Sequence, residues 1–158
     1  MWLSLFATVS LVGQGIQAGA LFMFMSGVVP TFRTFPVPAW LEMHRSMDSS
    51  IERFMPKITV VTILAGVACE VFDQSVEARV LRAIGIAGSL AVVAISEGVN
   101  VPINRVIKAR LASPDGYSEA EMSAARTRWI TWHRYRTYAS VIGLVAFTVA
   151  LAHAGTRF

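Results

Sequence analysis

The chain has 158 residues, of which 54% are hydrophobic and only 15% charged, with a mean hydropathy of +0.55 and a net charge of +4. That length fits one domain, residues 1–158, and so apolar a composition excludes an ordinary soluble domain. The excess of positive charge does not point to nucleic acid, because the basic residues sit between apolar runs, as they do at the flanks of membrane helices.

The first predicted span runs from residue 2 to about 29 and carries no formally charged side chain. No basic stretch precedes its apolar run, so it reads as a retained helix rather than a cleaved signal. Gln14 and Gln17 share a face bracketed by Gly13, Gly15 and Gly19. Small residues there suit close helix packing, and Gln17 can also present an amide inward.

The segment 30–57 opens with Pro30, Pro36 and Pro38. Trp40, Met43, Met47, Ile51 and Phe54 then recur at helical intervals, which predicts an amphipathic helix along the membrane interface or prolonging the second span. His44 is followed one turn later by Asp48. A carboxylate at that spacing can orient the imidazole and raise its basicity, although the plainer reading is a surface pair contributing a few tenths of a kcal/mol.

The second span covers about 58–72, the short turn 73–79 follows, and the third span covers about 80–99. This third run ends in "SEGVNVPINRV" (96–106). Glu97, Asn100 and Asn104 are spaced to share one helical face, and Pro102 withholds a backbone donor, so the helix should loosen near Gly98. Such a loosened turn lines a site, or else its amides serve only to pack neighbouring helices. Pro-Asp-Gly at 114–116 predicts a turn, and Ser118 with Glu121 a capping box.

The fourth span covers about 138–152, extended upstream from about 122. Trp129, His133 and Arg136 share a face there, with Trp132 beside them. The plain reading is an interfacial aromatic belt with a structural histidine; the chemical one is an imidazole that moves protons or binds a metal.

The fold class is therefore all-α: a four-transmembrane-helix bundle with a long, partly helical cytoplasmic loop between helices 1 and 2. Eleven basic residues fall in 30–57 and 100–137, against Arg79, Arg82 and Arg157 on the other side. The positive-inside rule then puts both termini outside the cytoplasm, with a bacterial inner membrane as the expected location. His44, Glu97, Asn100, Asn104, His133 and Arg136 are expected to converge at the cytoplasmic end. Ionisable groups at that depth are functional candidates because they are costly to bury.

A glycine-rich first helix ending in proline, "NVPIN" after the third span and "W-x-x-x-H-x-x-R" opening the fourth resemble the anthrone oxygenase-like family of small membrane proteins. By motif, Asn100, Asn104, Trp129, His133 and Arg136 match; His44 and Glu97 come from local chemistry. The resemblance implies four helices and, as in members from aromatic polyketide pathways, oxidation of an anthrone to an anthraquinone. An apolar phenolic substrate would stack near Trp129 or Trp132, with Gln17 reaching the same cavity. His133, or His44 supported by Asp48, would remove a proton, and Arg136 with Asn100 and Asn104 would stabilise the oxyanion.

No organic cofactor is expected, because the substrate anion can itself reduce dioxygen. The alternative is an iron or copper ion on His44, Glu97 and His133. The non-enzymatic alternative is a membrane binding or accessory protein. Expected partners are the lipid bilayer, an apolar aromatic small molecule and dioxygen, with no nucleic acid; a homo-oligomer is left open.

Overall fold

The computed structural model describes residues 2–113 and 116–155. Pro114 and Asp115 of the predicted turn, and Arg157 of the charge count, lie outside the described residues. All described elements are helices: α1 (Trp2–Met23), α2 (Val29–Thr34), α3 (Val37–Ile51), α4 (Met55–Phe72), α5 (Val76–Ile95), α6 (Val101–Ala112) and α7 (Glu119–Gly155). Two π-helical turns, Phe24–Val28 and Ser96–Asn100, join α1 to α2 and α5 to α6. Four helical stretches are long and apolar enough to cross a membrane: Trp2–Thr34, Met55–Phe72, Val76–Ala112 and Glu119–His153. The chain is an all-helical integral membrane protein.

Both π turns have one cause. Pro30 and Pro102 each stand in the first turn of the helix that follows. A proline has no N–H for the carbonyl four residues back, and its ring crowds that carbonyl. The helix widens instead, so that the N–H of Val29 reaches the Phe24 carbonyl and that of Val101 reaches Ser96. The loosening expected near Gly98 is this second turn.

Within the membrane the helices meet through small residues. A Cβ on Gly88 would fall 2.7 Å from the Ala139 carbonyl oxygen and 3.1 Å from Gly143 Cα, so α5 and α7 touch backbone to backbone. Gln14 fastens three helices beside this crossing: its Nε2 donates to the Ser140 carbonyl at 2.8 Å, and its Oε1 accepts from Ser89 Oγ at 2.6 Å. Both ends of the amide are satisfied, which is the packing role its glycine neighbours predicted. Gly88→Val should force α5 from α7 and cost about 1–3 kcal/mol, the usual range for overpacking. Detergent-titrated unfolding would read this loss, and an unchanged midpoint would deny the close crossing.

The helices differ in length. Hydrocarbon about 30 Å thick needs about 20 helical residues. The second stretch has 18, but the third has 37 and the fourth 35. Thr59 donates to Gln17 at 3.3 Å, and the Cys69 thiol approaches the Leu3 carbonyl at 3.8 Å. This antiparallel register leaves α1 beyond about Leu21 with no α4 alongside. The vacated level holds an apolar core, in which Phe24, Phe32, Trp40, Leu41, Ile103, Ile107, Met122 and Trp129 pack together.

α3 covers that core. Its buried side chains are Val37, Trp40, Leu41 and His44. Met43, Ile51 and Phe54, assigned by spacing to the apolar face, are 39%, 42% and 66% exposed. The buried stripe is rotated by roughly a fifth of a turn from the one read off the hydrophobic residues. Arg126 helps to set this orientation, donating to the carbonyls of Phe32 and Phe35 at 3.1 and 2.8 Å and lying over the Trp40 ring. It thereby satisfies the end of α2, where the Pro36 bend leaves carbonyls without helical partners. The start of α7 is capped by Ser118 Oγ, which accepts from the Glu121 N–H at 3.4 Å. The Glu121 carboxylate turns to Arg110 at 3.1 Å instead of completing the box.

Candidate functional site

Three elements meet at Asn104. Its Oδ1 accepts from Trp129 Nε1 at 3.0 Å and lies 3.0 Å from His44 Nε2, while its Nδ2 donates to Asp48 Oδ1 at 2.5 Å. Lys108, one turn further along α6, places its ammonium 2.8 Å from Asp48 Oδ2 and 3.1 Å from Glu52. Asp48 therefore does not touch His44, as the one-turn spacing had suggested; it reaches the imidazole's neighbour. The two i, i+4 pairs, His44/Asp48 on α3 and Asn104/Lys108 on α6, face each other.

His44 is 3% exposed, and the rings of Phe32, Trp40 and Trp129 surround it with centroids at 6.2, 5.3 and 4.9 Å. Burial holds its pKa below the ordinary 6.5; the Asn104 bond and the Asp48 charge oppose that in part. An amide oxygen can only accept, so His44 Nε2 carries the hydrogen and the lone pair sits on Nδ1. Among the described residues nothing hydrogen-bonds Nδ1.

His133 is arranged differently. Its Nε2 faces the Leu21 carbonyl at 3.2 Å and therefore donates. Its Nδ1 accepts from Arg136, whose Nε and Nη2 lie at 3.1 and 2.8 Å. Both ring nitrogens are thus engaged. The ring stacks on Trp129 at 5.0 Å, and the Arg136 guanidinium lies over that same tryptophan and reaches Ser96 Oγ at 3.3 Å. Trp129 consequently stands between the two imidazoles.

Asn100 lies on the π turn, 1% exposed, with Nδ2 donating to the Trp129 carbonyl at 3.3 Å. Its Oδ1 is buried without a partner among the described residues. Gln17, also 1% exposed, accepts from Thr59 and leaves its own Nε2 unpaired among those residues. It lies one turn from Leu21, at the upper edge of the cluster.

Two candidates stand apart. Glu97 is exposed, because the wide turn between it and Asn104 rotates it roughly a quarter turn from the face a regular helix would give it. Trp132 is only half-buried and packs edge-on against Tyr135 at 5.6 Å, away from the two histidines. The set His44, Glu97 and His133 is not brought together, and among the described residues no three His, Cys, Asp or Glu side chains are placed to hold one metal ion. The site's residues thus do not fit that ligand group.

A family model, anthrone oxygenase, matches residues 43–146, a stretch that opens one residue before His44 and takes in Asn100, Asn104, Trp129, His133 and Arg136. The chain belongs to the anthrone oxygenase family. No curated protein and no solved structure matches it. Membership, with the four apolar helices, makes this a membrane oxygenase-like protein. Sequence reasoning overlooked Ser96 and Lys108 within the family match, and the part Trp40 plays just before it. Lys108 could have been found from its one-turn spacing to Asn104, whereas the contacts of Ser96 and Trp40 exist only in the folded chain.

In this anthrone oxygenase family member, the cluster is backed on one side by an open groove of about 350 Å³ between α6 and α7. Gly98, Val99, Pro102, Ile103 and Met122 line it, and Arg128 stands among its polar residues. Val99, Ile103 and Met122 form the wall between this groove and Trp129.

Proposed function

We propose that this protein oxidises an apolar, anthrone-like phenol with dioxygen, and that His44 Nδ1 is the base. The observation that carries this reading is the hydrogen-bond pattern of the two buried histidines. His133 has no nitrogen to offer, whereas His44 keeps a lone pair amid three aromatic rings. A flat aromatic substrate suits those surroundings by stacking and by burial of its area.

The chemistry balances without an organic cofactor. His44 would take a proton from the substrate's ring CH₂, leaving an electron-rich anion. Dioxygen accepts those electrons and forms a C–O bond, giving a peroxide. Loss of the second C–H proton then breaks the O–O bond, one oxygen staying as the carbonyl and the other leaving as water. Arg136 would stabilise the anionic oxygen, having guanidinium N–H groups beyond those given to His133 and Ser96. Asn100 suits a different role, because its unpaired atom is an acceptor and would take the hydrogen of a phenolic O–H.

The groove between α6 and α7 is the proposed approach from the membrane surface, which the basic residues put on the cytoplasmic side. A Cβ on Gly98 meets nothing within 4 Å, so a larger residue there should fold normally. Gly98→Leu is expected to raise KM for an anthrone about tenfold while leaving kcat within about twofold, since it obstructs approach and not the base. Unchanged kinetics would remove the groove from the reaction. The reading as a whole is tested by oxygen consumption and quinone formation when purified protein in lipid nanodiscs is given an anthrone; no acceleration over the uncatalysed rate would overturn it.

A further inference from the structure

We infer that Asp48 is a positioning residue for His44, acting through the side-chain amide of Asn104. The inference takes its catalytic meaning from the proposed role of His44 as base, but its structural content stands on hydrogen bonds alone.

An asparagine amide can be turned end for end, so its orientation is set by its partners. Two of these accept only one answer. Trp129 Nε1–H can only donate, so the atom 3.0 Å from it must be oxygen. Ionised Asp48 can only accept, so the atom 2.5 Å from its Oδ1 must be the NH₂ group. With the amide held in this sense, Asn104 Oδ1 also faces His44 Nε2 and obliges that nitrogen to keep its hydrogen. The lone pair is then confined to Nδ1. The carboxylate also polarises the amide, which strengthens the oxygen as an acceptor and makes His44 Nδ1 more basic. The arrangement is a carboxylate–histidine pair with an amide inserted between its members.

Lys108 makes the charge of Asp48 specific. One carboxylate oxygen serves Asn104, and the other faces the ammonium at 2.8 Å. In Asp48→Asn only one oxygen remains, and Lys108, a pure donor, should claim it. The new NH₂ group would then face Asn104 Nδ2, donor against donor. Either orientation of the amide now sets one donor against another, Nδ2 against the new NH₂ or, once turned, its NH₂ against the Trp129 Nε1–H, so the amide divides between the two. Where it is turned, its NH₂ faces His44 and pulls the imidazole toward the opposite tautomer.

The test uses the full chain in nanodiscs with ¹⁵N-labelled histidine, whose ring signals distinguish the two neutral tautomers. The His44 signal is assigned by its absence from His44→Gln. Wild-type protein should show the Nε2–H form of His44. Asp48→Asn should gain an Nδ1–H population of at least about a third, with kcat down roughly tenfold and KM within about twofold. Asp48→Asn combined with Lys108→Met frees the asparagine to turn its oxygen toward Asn104, and should restore the wild-type tautomer. An Nδ1–H form in the wild type, or an unaltered tautomer in Asp48→Asn, would overturn the inference. If Asp48→Asn fails to fold, Lys108→Met alone must keep the wild-type tautomer, since it leaves the carboxylate facing Asn104; a mixed population there would overturn it equally. The spectra need no substrate, so absent anthrone turnover would count against the proposed function and leave this result standing.

Discussion

His44→Gln should lower turnover of an anthrone by about 10²–10⁴-fold, the usual contribution of a positioned general base. A glutamine there can still donate to Asn104, so the helix contacts survive while the basic lone pair is lost. His133→Gln should cost less, because His133 spends its nitrogens on Leu21 and Arg136. The two variants must be compared in one kinetic assay. A severe loss in His133→Gln beside a mild one in His44→Gln would exchange their roles. Acidity gives a second check. Burial holds the His44 pKa below 6.5, so the base stays neutral and kcat/KM stays level as pH falls through 6.5, dropping only further down. Stability moves differently. Below pH 6.5 the unfolded chain takes up a proton that folded His44 resists, so His44 favours folding at higher pH and ceases to do so as acid is added. Stability should therefore begin to decline at a higher pH than activity does.

The bundle was legible because its signals are local: long apolar runs, their lengths, and charges at their ends. The π turn at Ser96–Asn100 was legible for the same reason, as Pro102 disturbs only its own helix. The site was legible in part. Trp129, His133 and Arg136 do share a face, since α7 is regular there. Glu97 does not join Asn100 and Asn104, because the spacing rule assumes a regular turn and Pro102 removes it. α3 misled differently. Its hydrophobic residues alone point the helix along Met43 and Ile51, yet the buried face is set by the Pro36 bend, the Arg126 clamp and the polar attachment of His44 and Asp48 to α6. Those are contacts between elements distant in sequence, and no periodicity encodes them. Trp129 and Trp132 look equivalent in the sequence for a related reason: three residues on one helix decide which ring meets His133 and which meets Tyr135.

Arg82→Met should be the most destabilising single change at the other end of the bundle. The sequence counts Arg82 among the few basic residues of the outer side, but its side chain is 2% exposed and paired with the Asp73 carboxylate. Asp73 also accepts from the Ser75 N–H at 2.9 Å, and Ser75 Oγ caps α5 by accepting from the Ala78 N–H at 3.3 Å. The ion pair is therefore joined to the turn between α4 and α5. Arg82→Met takes the guanidinium from a buried carboxylate, and breaking a buried pair by removing one member costs about 3–5 kcal/mol, far more than an exposed pair contributes. Removing both charges should be milder: Asp73→Asn with Arg82→Met keeps an acceptor for Ser75 and leaves no charge behind. Unfolding in mixed micelles would rank the variants, with wild type most stable, the double variant next and Arg82→Met last. If Arg82→Met unfolded at the same point as wild type, the pair would contribute nothing to the fold.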